Sequence, residues 1–193
     1  MRVMVVTAHP VETSYNAAIH AAAIAALREA GHEVDHCDLY AERFDPVLSR
    51  AARLDYHDPA LNRRGVEGLI ERLGAAEGLV VGFPTWCFGP PAILKGFFDR
   101  LILPGFAFSI EGGKVTPTLR HIRAVAGLVT YGRARHMAWW MGDPPRKLVT
   151  RYLRWFVHPR ASIRYHAHYH LNVATAEDRA RFIARVTDAM RRF

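Results

Sequence analysis

The sequence predicts an α/β fold: a doubly wound, parallel five-stranded sheet with helices on both faces. Three observations predict it. Apolar, β-branched runs recur without polar alternation, as strands covered on both faces require. Stretches with helical spacing of apolar residues lie between those runs. The first strand, helix and second strand are complete by Cys37, making a βαβ unit whose crossover is almost always right-handed.

The elements follow in order. Arg2 to Thr7 is a continuous buried strand, and Ala8 to Glu12 a polar loop. From Ser14 to Ala30 the pattern is helical, with Ile19, Ala23, Leu27 and Ala30 on one face and Gly31 as the C′ stop. Glu33 to Cys37 is the second strand. Gly65 to Leu73 is a helix, and Gly78 to Phe83 (GLVVGF) the third strand. Pro91 to Leu103 is a helix that opens with a proline near its first position and ends before Pro104. Ile122 to Thr130 (IRAVAGLVT) is the fourth strand. Pro145 to Phe156 reads as a basic helix, Ser162 to His170 as the fifth strand, and Thr175 to Arg192 as a final amphipathic helix. Thr175 and Asp178 have the form of a capping box, with Asp in place of the usual Glu or Gln. Ile183, Val186 and Met190 form that helix's buried stripe. No repeat or flexible linker interrupts the pattern, so residues 1–193 read as a single domain, with ligands expected at the carboxyl ends of the strands.

Composition narrows the classes. Half of the 193 residues are apolar, enough for a core without disulfides or metal staples. Cys37 and Cys87 form neither a secreted disulfide framework nor a zinc spacing, which predicts a reducing, cytoplasmic home. The opening apolar run is too short for a signal peptide, and no stretch of about 18 apolar residues is present to span a membrane. The net charge of +8 attracts anions. Basic residues run along the whole chain instead of gathering on one helix with interleaved aromatics. Nucleic acid is therefore not expected, and anionic small molecules suit the charge.

Some motifs are absent. No G-x-G-x-x-G follows the first strand, no Walker lysine loop surrounds Gly113-Lys114, and no nucleophile elbow occurs. In place of the first stands Thr7-Ala8-His9-Pro10-Val11-Glu12-Thr13-Ser14-Tyr15-Asn16. Thr13, Ser14 and Asn16 lie at a helix amino terminus, where free N–H groups and the dipole suit a phosphate; a simple N-cap by Thr13 or Ser14 reads equally well. After the third strand comes Phe83-Pro84-Thr85-Trp86-Cys87-Phe88-Gly89-Pro90-Pro91-Ala92-Ile93-Leu94-Lys95-Gly96. A proline-rich aromatic loop at this place supplies the apolar wall and backbone donors that a flat isoalloxazine needs, although Trp86 and Phe88 also read as core residues.

Three blocks, AHPVETSYN, DLYAERFDPVLS (Asp38 to Ser49) and FPTWCFGPPAILKGFFDR (Phe83 to Arg100), resemble in order and spacing the signatures of the flavodoxin-like NAD(P)H dehydrogenase (quinone) family, the DT-diaphorase-type quinone reductases. The resemblance covers about the first 130 residues and weakens beyond Tyr131. It implies a flavodoxin-like sheet, bound FAD with FMN as the alternative, NADH or NADPH as electron donor and a quinone-like acceptor. It implies that the flavin-phosphate loop is His9, Thr13, Ser14, Tyr15 and Asn16. The isoalloxazine loop would be Pro84, Thr85, Trp86, Cys87 and Phe88, and the third loop Thr130, Tyr131 and Gly132. Family members usually carry an aromatic where this chain has Cys87. The Tyr and His that hold the charge of reduced flavin in mammalian members fall here on Met137 and Asp143; Tyr131 and His136 are the replacements expected. Phe106 and Phe108 match an aromatic loop that covers the partner subunit's substrate pocket in the resembling homodimers; a local hairpin around Glu111-Gly112-Gly113 is the other reading.

Three features remain open. Trp139-Trp140-Met141-Gly142 reads as a lid or as core, and alternating His166, His168 and His170 share a strand face without a carboxylate or cysteine to complete a metal site. Two other functions share the fold class: a flavodoxin-type electron carrier, whose known forms are short and acidic, and a regulatory flavoprotein subunit of a potassium-efflux system.

Overall fold

The computed structural model describes all 193 residues. Strand β1 (Arg2–Thr7) pairs with β2 (Glu33–Asp38) on one side and β3 (Gly78–Pro84) on the other. Beyond β3 lie β6 (Ala124–Thr130) and β7 (Ser162–His168). All four pairings are parallel, and the sheet order is β2-β1-β3-β6-β7. The chain leaves β1 in one direction and returns in the other, so the reversal falls between β1 and β3. Ligands of open α/β sheets bind outside the carboxyl ends of strands at such a point.

Helix α1 (Tyr15–Glu29) and the last helix, α8 (Ala176–Arg191), cover one face. Val3, Val5, Val80 and Leu128 meet Ile19, Ala23, Leu27, Phe182, Val186 and Met190 there. On the opposite face Met4, Val6, Val81 and Val129 pack with α3 (Glu67–Ala75), α4 (Ala92–Leu101) and the segment 144–156. Strand side chains alternate between faces, so these apolar runs serve both cores, each fully buried side chain contributing about 1.5–3 kcal/mol.

The differences from expectation have local causes. Gly65 has φ +75°, which a right-handed helix excludes, so α3 begins at Glu67. His170 has φ +63°, and β7 stops at His168. Arg123 donates its N–H to Glu77 as the chain enters β6, two residues later than expected. The stretch expected as one basic helix is α6 (Pro144–Lys147), a π-helical turn at Leu148–Leu153, and α7 (Arg154–Phe156). Two short helices, α2 (Arg50–Leu54) and α5 (Arg135–Trp140), lie in connections. Between α4 and β6, β4 (Phe108–Glu111) and β5 (Lys114–Pro117) form a hairpin. Its tip, Gly112-Gly113, has positive φ at both residues, as a two-residue type I′ turn demands. The α8 capping box is present: the Thr175 hydroxyl accepts from the Asp178 N–H, and the Asp178 carboxylate from the Thr175 N–H.

Candidate functional site

Three loops meet at the carboxyl ends of β1, β3 and β6. Asn16, in the first turn of α1, is buried and donates its side-chain amide to the Thr130 hydroxyl at 2.9 Å. Thr85 donates its N–H to the Thr130 carbonyl at 2.8 Å. The His9 and Trp86 rings lie 6.2 Å apart, tilted by 58°. The first, second and third expected loops therefore form one wall.

That wall carries unpartnered donors. The Ser14 hydroxyl accepts from the Ala17 N–H at 3.2 Å, so Ser14 is the N-cap of α1. The N–H groups of Thr13, Tyr15 and Asn16 have no partner within the chain. Free first-turn donors at the positive end of a 15-residue helix suit an anion. Tyr15 is held from behind: its hydroxyl lies 2.7 Å from His168 Nδ1 and donates to the Arg179 carbonyl. Burial pushes the Tyr15 hydroxyl up to about 12, so it stays protonated.

In the second loop, Trp86 and Gly89 exchange two backbone hydrogen bonds, closing a tight turn. Its central residues, Cys87 and Phe88, have φ +50° and +57°. Left-handed geometry at a residue bearing a Cβ costs roughly 1–2 kcal/mol, and such strain collects at functional sites. The N–H groups of Cys87 and Phe88 are unpartnered, Cys87 is exposed, and the Trp86 indole is 44% exposed beside them.

The third loop corrects one expectation. The Tyr131 side chain is buried instead of facing the crevice, with its hydroxyl 2.5 Å from Asp143 Oδ1 and also bonded to the Tyr165 hydroxyl. Its ring stacks on Tyr169 at 4.5 Å. Burial first, then the neighbouring Tyr165 and Asp143, drive its ionisation far above the usual tyrosine range. The Tyr131 N–H is also committed, to the His168 carbonyl. Gly132 alone of the two keeps a free N–H, and a Cβ there would meet the Asn172 side chain at 3.1 Å. His136 lies exposed on α5 without a hydrogen-bond partner among the side chains. Asp143, Tyr165, Asn172 and His168 take supporting roles that the sequence reading did not give them. Asp143 left one signal, as an acid directly before Pro144-Pro145 at a helix start.

Phe106 and Phe108 lie at the other end of the sheet. Phe106 packs beneath the Arg63 guanidinium and beside Gly74, near the end of α3 that feeds the first residues of β3. Phe108 opens β4 and packs on Phe156 at 6.3 Å. Neither reaches the crevice of its own chain, so neither lines that pocket within one chain. His166, His168 and His170 do not share a strand face, because His170 lies beyond β7.

Beside the first loop, between α1 and β2, a cavity of about 620 Å³ is lined by Thr7, His9, His20, His36 and Asp38 among others. His20 is buried against Gly82, where a Cβ would come within 2.4 Å of the imidazole Nε2. Burial lowers the His20 pKa to about 3, with His36 and His9 adding to the shift, so the ring is neutral.

The sheet order and the crevice at its reversal define the class of the molecule. The chain belongs to the flavodoxin-like fold family, whose sequence pattern matches residues 1–186. It is 35% identical over 125 residues to NAD(P)H dehydrogenase (quinone) 1 of Rattus norvegicus, covering 56% of this chain and 45% of that protein. The chain spans about half the length of the curated relatives it matches. Its fold superposes on NAD(P)H:quinone oxidoreductase from Methanothermobacter marburgensis with TM-score 0.81 and 24% identity, over 99% of this chain and 98% of the other. It also superposes on an FMN-dependent NADH-azoreductase from Bacillus anthracis in complex with FMN, with TM-score 0.77 and 15% identity over 99% and 98%.

Proposed function

We propose that this chain is a flavin-dependent NAD(P)H oxidoreductase that reduces quinones or related acceptors by two-electron hydride transfer in two half-reactions. One observation carries the reading. Three loops tied together through Thr130 and the His9–Trp86 pair present free N–H groups at the start of α1, at Cys87-Phe88 and at Gly132, next to an exposed indole. The names of the relatives support it, as does the FMN in the azoreductase complex.

These residues fit a flavin. The donors of Thr13, Tyr15 and Asn16 would hold its phosphate, with His9 alongside. Pro84, Thr85, Trp86 and Phe88 would flank the ring, and the Cys87, Phe88 and Gly132 N–H groups would face its polar edge. Bound there, the cofactor would accept a hydride from the nicotinamide and pass it to the acceptor. The chain needs no strong acid or base for this; its tasks are orientation and charge stabilisation. FAD is the cofactor proposed, with FMN the alternative, and NADH or NADPH the donor. The working unit proposed is a cytoplasmic homodimer, in which Phe106 and Phe108 would reach the partner's pocket.

The test is the absorption spectrum of the purified protein and the identity of the cofactor it releases, followed by NAD(P)H consumption with a simple quinone. A yellow protein that turns over NAD(P)H is expected. A protein that stays colourless after incubation with both flavins overturns the reading.

A further inference from the structure

The basic residues are spread along the chain, but the net charge is not. Residues 131–176 hold eight of the 26 lysines and arginines and one of the 18 acids, so this segment carries +7 of the net +8. Its one acid, Asp143, is occupied by Tyr131. Arg133, Arg135, Arg146, Lys147, Arg151 and Arg154 are all exposed, and none forms an ion pair. Arg135 and Arg146 join Arg185 around a cavity of about 240 Å³ whose wall contains no acid.

The same segment carries the most exposed tryptophans of the chain. Trp139 and Trp140, which close α5, are 77% and 74% exposed, and Met137 and Met141 beside them are also exposed. The segment read from sequence as lid or core is not core; it is an exposed apolar tip within a stretch of cations that form no ion pair. Indoles favour the headgroup layer of a bilayer, and arginines favour lipid phosphates.

We propose that this face docks on an anionic lipid surface, with Trp139, Trp140 and Met141 entering the headgroup layer and the surrounding arginines and lysine held by phosphates. A second copy seated two-fold on the same face would oppose arginine to arginine with no acid between them. A single-stranded nucleic acid needs a groove that tracks its backbone, whereas these indoles stand on a six-residue helix flanked by thioethers. The chain would lie on the membrane, since no helix is long and apolar enough to cross it. Because α5 follows the Tyr131-Gly132 loop after two residues, docking would turn the crevice toward the phase in which apolar acceptors dissolve. The docking itself does not depend on the chemistry proposed above.

The test is co-sedimentation of the purified protein with vesicles of equimolar phosphatidylcholine and phosphatidylglycerol, and with phosphatidylcholine alone, read together with tryptophan emission. Binding to the anionic vesicles with a blue shift is expected, weakened by salt. The double change Trp139→Ser/Trp140→Ser should lower affinity about tenfold or more without changing the unfolding temperature. The pair Arg135→Gln/Lys147→Gln should lower it by a similar factor while leaving the indoles in place. Absence of binding at low salt overturns the proposal, as does binding by either double variant equal to that of the wild type. Capture of a single-stranded oligonucleotide that requires the two tryptophans, without vesicle binding, overturns it in favour of nucleic acid.

Discussion

The side-chain amide of Asn16 reaches the Thr130 hydroxyl across 2.9 Å, joining the first turn of α1 to the last residue of β6. Residues 114 positions apart thereby fix the distance between two of the three loops of the site. The bond is buried, so neither group exchanges it for water.

Ser14 and Asn16 should separate on mutation. Ser14→Ala removes an N-cap and should cost about 1 kcal/mol of stability with flavin affinity near wild type. Adding Asn16→Ala should lower flavin affinity by roughly 1–3 kcal/mol, because the loop that presents the phosphate donors loses its tether. Thermal unfolding and flavin titration on the same proteins check both parts. An unchanged affinity in the double variant would remove the phosphate role.

Tyr131→Phe is expected to destabilise by about 1–2 kcal/mol, since Asp143 loses a buried partner. Turnover at a permissive temperature should stay close to wild type. A loss of kcat larger than tenfold, with the fold intact, would return the Tyr131 hydroxyl to the chemistry.

His20 makes stability depend on acid. Its folded pKa of about 3 lies below its ordinary 6.5, so the unfolded chain binds the proton more readily. Stability from this group is complete above pH 6.5 and is lost as pH falls from 6.5 toward 3, by at most about 1.4 kcal/mol per pH unit. His20→Leu should flatten that slope in urea unfolding measured across the window. His32, His36, His166 and His168, also lowered by burial, act in the same direction and contribute to the slope that remains.

Gly96 in the PAILKG block lies against the backbone of Pro46: a Cβ there would sit 2.2 Å from the Pro46 carbonyl oxygen. Backbone cannot step aside as a flexible side chain can, so Gly96→Ala should cost about 3 kcal/mol or more. Gly68→Ala, with open space around its Cβ position, is the control and should be neutral or stabilising.

Phe108→Ala should weaken dimerisation and slow acceptor turnover while leaving flavin bound, if the proposed homodimer shares its pockets. Light scattering across the assay range, paired with steady-state kinetics, reads both. A fully active monomer would end the proposal.

Much of the fold was legible because its signals are local. The runs of β1, β3 and β6 show double-sided burial directly, and Thr175 with Asp178 marks the start of α8 within four residues. Gly112-Gly113 announced its turn in the same way. The direction of the Tyr131 side chain was not legible, because Asp143 and Tyr165, 12 and 34 residues away, decide it. The early stop of β7 and late start of α3 depend on left-handed φ at His170 and Gly65, which spacing does not encode. At the site, the loops could be read one by one; that Thr130 joins them could not.

The turn at Cys87-Phe88 keeps its shape without help, since the Trp86–Gly89 pair closes it while both central residues stand in left-handed geometry. A turn closed by its own backbone bonds gives up little conformational freedom when a ligand arrives, so association should run at one rate without a slow ordering step. The left-handed geometry of its two central residues also stores strain in the turn, which contacts from a bound ligand would help to hold.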